Sequence, residues 1–157
     1  MASFIHLADK RHEPLIVRNG IGKGKGREGV YAVPVLPQFE LTHQWARELR
    51  RRGIRSFVCV QFRIPDDEVV SVGRFKIEKL TTTASEAVAA FMEHTDGMGL
   101  EVIVPRRILP SEIVRVYPAP RITGWRYSPE AKGKPPYCRC KFCHRGEIRA
   151  QSLIRED

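Results

Sequence analysis

Phe4-Ile5-His6-Leu7-Ala8-Asp9, a segment closing on Asn19-Gly20, the loop Gly20-Ile21-Gly22-Lys23-Gly24-Lys25-Gly26-Arg27-Glu28-Gly29, and then Val30-Tyr31-Ala32-Val33-Pro34-Val35: the rest of the chain is read outward from this opening stretch. Its two apolar runs read as strands, and each carries one polar ring side chain, His6 and Tyr31. The segment from His12 to Asn19 reads as a short helix ended by Gly20. Pro14 is tolerable in its first turn, where the missing N–H would have no partner anyway. The loop alternates glycine with cations, which lets exposed backbone N–H groups and positive charge approach a phosphate together. It does not match the nucleotide-binding glycine fingerprints, and a solvated loop reads equally well from the same residues.

Further along, Leu41, Trp45 and Leu49 recur every fourth residue, which predicts a helix to about Arg52, ended by Gly53. Arg47, Arg50, Arg51 and Arg52 crowd its carboxyl end, where cations complement the helix dipole. A strand from Arg55 to Ile64 follows, then a turn at Pro65-Asp66-Asp67 and a second strand from Val69 to Phe75. Cys59 in mid-strand reads as a small buried hydrophobe. Thr83-Ala84-Ser85-Glu86 is a capping box that opens an alanine-rich helix running to about His94. Leu100-Glu101-Val102-Ile103-Val104 reads as a strand whose alternation sets Glu101 on the face opposite Leu100, Val102 and Val104. After a turn at Pro110-Ser111, a last strand runs from Glu112 to Tyr117. Strands and helices mixed in this order indicate an α+β domain over residues 1–117.

From Pro118 onward the composition shifts to Pro, Gly, Arg and Lys. Within this extension, residues 118–157, lies Tyr137-Cys138-Arg139-Cys140-Lys141-Phe142-Cys143-His144. Three of the four cysteines fall within six positions. Cys138, Cys140 and Cys143 can wrap one tetrahedral ion, with His144 or a more distant side chain as fourth ligand, and zinc suits sulfur and nitrogen without redox chemistry. A free thiol cluster is the alternative. Hydrophobic residues make up 42% of the chain and charged residues 29%, which argues against general disorder. A net charge of +9 with a pI near 9.8 points to a polyanionic partner, nucleic acid first, against a basic surface that is merely solvated. No apolar run approaches a membrane-spanning length and the amino terminus lacks signal-peptide order, so a cytoplasmic protein without membrane contact is expected.

The order His-strand, helix, Gly-x-Tyr strand and later Glu-Val-Ile-Val strand resembles the ADP-ribosyltransferase superfamily, in the subgroup with a His-Tyr-Glu trio. Phe4 to Asp9 with Arg18-Asn19-Gly20-Ile21 looks like the opening His motif of DarT-like nucleic-acid ADP-ribosyltransferases. Glu101 to Val104 followed by Arg107-Ile108-Leu109-Pro110-Ser111-Glu112-Ile113 resembles their catalytic glutamate strand. Gly29-Val30-Tyr31 is similar to the Gly-x-Tyr of the poly-ADP-ribosyl enzymes. The resemblance spans residues 3–117, and the cysteine-rich extension departs from it. It implies a split two-sheet core, NAD as substrate, and catalytic roles for His6, Tyr31 and Glu101. His6 would bind a ribose or fix the orientation of NAD, Tyr31 would stack on nicotinamide, and Glu101 would stabilise the positive ribose and act as base toward the acceptor. Lys23, Lys25, Arg27 and Arg47 are the cations available for the diphosphate. The favoured expectation is transfer of ADP-ribose from NAD to a nucleic acid. Its rivals are a non-catalytic zinc-containing nucleic-acid-binding protein, and an NAD-cleaving or ADP-ribose-binding protein without a macromolecular acceptor.

Overall fold

The computed structural model describes residues 1–36, 40–93 and 99–119, apart from the side chains of residues 40, 41, 43, 44, 47 and 51. The chain divides after Ala119, and the second unit, Pro120–Asp157, lies outside the described residues. The first unit is α+β. Strand β1 (Ala2–Asp9) leads through a 3-10 turn (Lys10–His12) into helix α1 (Glu13–Asn19) and then β2 (Val30–Pro34). Helix α2 (Glu40–Arg51), β3 (Phe57–Ile64), β4 (Val69–Arg74), β5 (Leu80–Thr83), α3 (Ala84–Glu93) and β6 (Leu100–Val104) follow, and a second 3-10 turn (Pro110–Glu112) precedes β7 (Ile113–Pro118).

Among the described residues, seven strands join one antiparallel sheet in the order β5-β4-β6-β2-β1-β3-β7. Its halves are unequally joined. β1 pairs with β3 over eight residues, from Ala2↔Ile64 to Asp9↔Phe57, but with β2 only at Phe4↔Pro34 and Ile5↔Val33. In place of the expected two sheets, the described strands form a single sheet with a short central seam.

The core explains why these segments hold. Phe4 and Phe62 sit opposite each other on β1 and β3, both fully buried, with rings stacked at 5.9 Å. Removing either ring would cost about 3–5 kcal/mol. β3 is buried on both faces except at Arg63, so its alternation carries no inside–outside contrast. Ala84, Ala87 and Phe91 form the buried stripe of α3. The capping box is realised reciprocally: Glu86 N–H donates to Thr83 Oγ1 at 3.3 Å and Thr83 N–H donates to Glu86 at 3.1 Å. On α2, Thr42 and Ala46 are buried and Trp45 and Leu49 half-buried, one stripe at helical spacing.

Gly20 closes α1 with φ +77° and an N–H donated to the Ile16 carbonyl. The helix begins at Glu13, one residue later than the sequence pattern suggests, because Asp9 accepts from the Arg11 N–H and residues 10–12 form the 3-10 segment. β5 was not expected. Leu80-Thr81-Thr82-Thr83 is a half-exposed edge strand opposite β4, without the apolar alternation that marks a strand in sequence. Among the described residues, no helix is long and apolar enough to cross a membrane.

Candidate active site

The short seam creates the site. β2 pairs with β1 at its end, Val33 and Pro34, and with β6 over Val30, Tyr31 and Ala32. Beyond Ile5 the two strands part, and a cleft of about 590 Å³ opens between residues 5–9 of β1 and residues 29–33, with Trp45 and Leu49 of α2 forming a further wall. Where the ladder stops, a side chain takes over. The Nδ1–H of His6 donates to the Tyr31 carbonyl at 2.7 Å. A carbonyl can only accept, so the neutral imidazole keeps a bare Nε2. Burial lowers the His6 pKa, the Tyr31 carbonyl opposes this, and the charge of Arg27 lowers it further. His6 is therefore neutral at neutral pH.

Gly29, just ahead of β2, is required by close approach. A Cβ there would lie 2.1 Å from the Val104 carbonyl oxygen of β6. The packed backbone sets Tyr31 opposite Ile103, where its half-buried ring meets the guanidinium of Arg27 at 5.2 Å. A cation over an aromatic face is worth about 0.5–1 kcal/mol in an exposed setting.

Glu101 lines the same cleft and is 5% exposed. Its Oε1 lies 3.1 Å from Lys79 Nζ. Burial pushes the Glu101 carboxyl up from its ordinary value; the hydrogen bond and charge of Lys79 oppose that, and Arg27 adds to the opposition while Glu28 works against it. Trp45 locks α2 over this strand, donating its Nε1–H to the Leu100 carbonyl at 3.1 Å and meeting the Phe75 ring edge-on at 5.9 Å.

His6, Tyr31, Glu101 and Arg27 thus share one cleft. Lys23 and Lys25 are exposed and do not line it, and the Arg47 side chain lies outside those described. Cys138, Cys140, Cys143 and His144 lie outside the described residues, within which no cluster of His, Cys, Asp or Glu is placed to hold a metal. Cys59 is no hidden nucleophile: burial pushes its thiol up to about 11.

Arg106 and Arg107 do not line the cleft and are engaged by other partners. Arg106 forks onto Glu68 at 2.6 and 2.7 Å and onto Glu112 at 2.8 and 2.6 Å, and Arg107 donates to the Asn19 carbonyl. Arg52 does line the cleft, where it pairs with Glu48 at 3.8 Å. The residues missed in sequence are Lys79, Trp45 and the Asp9–Arg11 pair at the cleft edge, where Arg11 Nη2 lies 2.6 Å from Asp9. Lys79 is 22 positions from Glu101 and had no local signal pointing to it. Comparison with protein-family models, with curated proteins and with solved structures returned no match.

Chemically, the cleft offers two buried carboxylates, Glu101 paired with Lys79 and Asp9 paired with Arg11, together with the neutral imidazole of His6, the Tyr31 ring already meeting a cation, and Arg27 on a glycine-rich loop. Its volume falls in the range of about 300–1,000 Å³ usual for small-molecule sites.

Proposed function

We propose that the chain transfers ADP-ribose from NAD to an acceptor, and that the acceptor is a nucleic acid. The observation that carries this reading is the convergence of His6, Tyr31 and Glu101, far apart in sequence, on one cleft. The finer architecture we propose is the split core of ADP-ribosyltransferases, supported by the two-residue seam between β1 and β2.

NAD enters the scheme as substrate. The bond between the ribose carbon and the nicotinamide nitrogen breaks with its electron pair passing to nicotinamide, which leaves neutral. Positive charge develops on the ribose, and the carboxylate of Glu101 stabilises it inside a cleft where screening is weak. The acceptor nucleophile then bonds to that carbon and its proton passes to Glu101, which burial makes a better base than an exposed carboxylate. His6, neutral and held through Nδ1, offers Nε2 as an acceptor to a ribose hydroxyl. Tyr31 presents a face suited to the nicotinamide ring, and Arg27 is the described cation best situated to meet the diphosphate.

The acceptor class rests on the net charge of +9. We further propose that Cys138, Cys140, Cys143 and His144 hold a structural zinc, since three thiols so close leave little room on the ion for an activated water. A purely binding protein gives no reason to bury a carboxylate beside this cleft, because desolvating a charge is costly.

The test is mass spectrometry of single- and double-stranded DNA and RNA after incubation with NAD. The native chain should add an ADP-ribosyl unit to at least one of them. Glu101→Gln, nearly isosteric, should lose transfer by about a hundredfold or more while keeping its fold. Transfer undiminished in Glu101→Gln would overturn the reading.

A further inference from the structure

We infer that Lys79 is a positioning residue for the site: by reaching across one strand of the sheet to pair with Glu101, it holds that carboxylate as an oriented anion. The inference rests on the transfer reading for its chemistry, but the pairing itself stands on geometry.

The route of the side chain is unusual. In the sheet order β5-β4-β6, Lys79 lies next to the start of β5 while Glu101 lies on β6, so β4 stands between them. The β4 residue opposite Glu101 is Gly73. A Cβ at that position would lie 3.0 Å from Lys79 Cδ, tighter than ordinary packing. Glycine at that point gives the lysine stem its passage. The turn between β4 and β5 is shaped to the same end. Lys76 adopts a left-handed conformation, φ 62°, and the Ile77 N–H closes the turn on the Arg74 carbonyl at 3.1 Å.

At the end of this path the ammonium is fully engaged. Lys79 Nζ donates to the Arg74 carbonyl at 2.7 Å and to the Ile77 carbonyl at 3.1 Å, and its third partner is Glu101 Oε1 at 3.1 Å. An ammonium has three donors, and each has a partner here. The two side chains are 15% and 7% exposed, so the pair is shielded from salt and water. Held at three points, Lys79 fixes which carboxylate oxygen faces the protein and leaves the other for the cleft. The remaining charges around Glu101 are Arg27 and Glu28 from the loop before β2, with Glu48 of α2, Arg52 just past that helix, and the Asp9–Arg11 pair lining the same cleft. Arg27 is exposed and its guanidinium lies over Tyr31, so Lys79 is the partner that determines the state of the carboxylate.

Without Lys79 the buried carboxyl takes up a proton more readily, and the anion that the reaction uses is lost near neutral pH. The experiment is a ¹³C NMR titration of the full chain carrying glutamate labelled at the side-chain carboxyl, with Glu101→Gln to assign the resonance. In Lys79→Met the Glu101 midpoint should rise by about one pH unit or more, the scale of a neighbouring opposite charge. Lys79→Gln, which keeps donors for the two carbonyls, serves if the first variant does not fold, and should raise the midpoint in the same direction. In parallel, the acidic limb of the turnover–pH profile should move up by the same amount, so that activity lost at neutral pH returns in alkali. A lysine that only braces the turn would leave both midpoint and limb in place, and that result in a folded variant overturns the inference. If the midpoint moves but the native chain leaves NAD intact, the pairing stands and the transfer reading falls instead.

Discussion

Gly20→Ala tests whether the loop that carries Arg27 to the cleft is anchored as described. Gly20 has φ +77° and ψ −168°, a region that only glycine occupies without strain. A Cβ there would lie 2.0 Å from the Ile108 carbonyl oxygen and 3.1 Å from two further backbone carbons. That carbonyl is not free to yield. Ile21 N–H donates to it at 2.9 Å and Ile108 N–H returns the bond to the Ile21 carbonyl at 2.9 Å, with both isoleucines buried.

Backbone strain of about 1–3 kcal/mol, together with the loss of two hydrogen bonds at about 1 kcal/mol each, gives a destabilisation of roughly 3–5 kcal/mol. With a urea slope of about 1–3 kcal/mol per molar, the unfolding midpoint should drop by about 2 M. Gly22 is the internal control. It stands two positions away, has no positive φ, and a Cβ there would meet nothing within 4 Å. Gly22→Ala should be neutral or stabilising by about 0.4–1 kcal/mol, through restriction of the unfolded chain. Paired urea melts followed by circular dichroism decide it. A Gly20→Ala midpoint within about 0.3 M of the native one, or an equal drop in Gly22→Ala, would refute the anchoring.

Three further outcomes are expected. Arg11 holds the Asp9 carboxyl down to about 2, so the stability it contributes is present above the ordinary value of 3.8 and lost as pH falls through about 2; Arg11→Ala should flatten the melting-temperature curve across that window, and an unchanged slope there would contradict the pairing. Arg106→Ala should lower stability by about 1–2 kcal/mol, because Glu68 and Glu112 lose their shared partner, yet leave the salt dependence of nucleic-acid binding as it was, whereas Arg27→Ala should reduce the log–log slope by about 0.7–0.9. Titrations at two salt concentrations separate the two. Metal analysis of protein purified without chelator should find about one zinc per chain, lost when Cys138, Cys140 and Cys143 are replaced by serine; a metal-free chain with three freely reactive thiols would end the zinc proposal.

What could be read from sequence was what has local causes. Gly20 after α1, the Thr83–Glu86 capping box and the Leu100–Val104 run each carry their signal within a few residues. β5 escaped because an edge strand of threonines, half in water, has no apolar face to display. Composition marks the glycine–lysine loop as cationic through Lys23, Lys25 and Arg27 alike; in the folded loop, where the Arg27 N–H donates to the Gly24 carbonyl at 2.9 Å, Arg27 lines the cleft and the two lysines do not. Lys79 was the deepest omission. Its partner is distant in sequence, its path depends on a missing Cβ on a third strand, and no periodicity encodes that.

The position of the cleft follows from where the hydrogen bonds of the sheet run out. A strand pair that continued past Ile5↔Val33 would satisfy its own backbone and leave no opening. Parting the strands exposes carbonyls that need donors, and His6 answers one of them by donating to Tyr31. That single bond does two things at once. It satisfies a backbone group at the seam, and it fixes the imidazole tautomer so that the opposite nitrogen is an acceptor. Glu101 sits on the far side of β2, on the strand that takes over the pairing, and its charge is balanced from beyond β4 rather than from within the cleft. The cleft is thereby left with an anion, an acceptor and an aromatic face whose supporting bonds lie in the surrounding sheet. Arg27 is the exception: it sits on an exposed loop with no carboxylate partner among the described residues, so it is the cation best able to change partner when an anionic ligand enters.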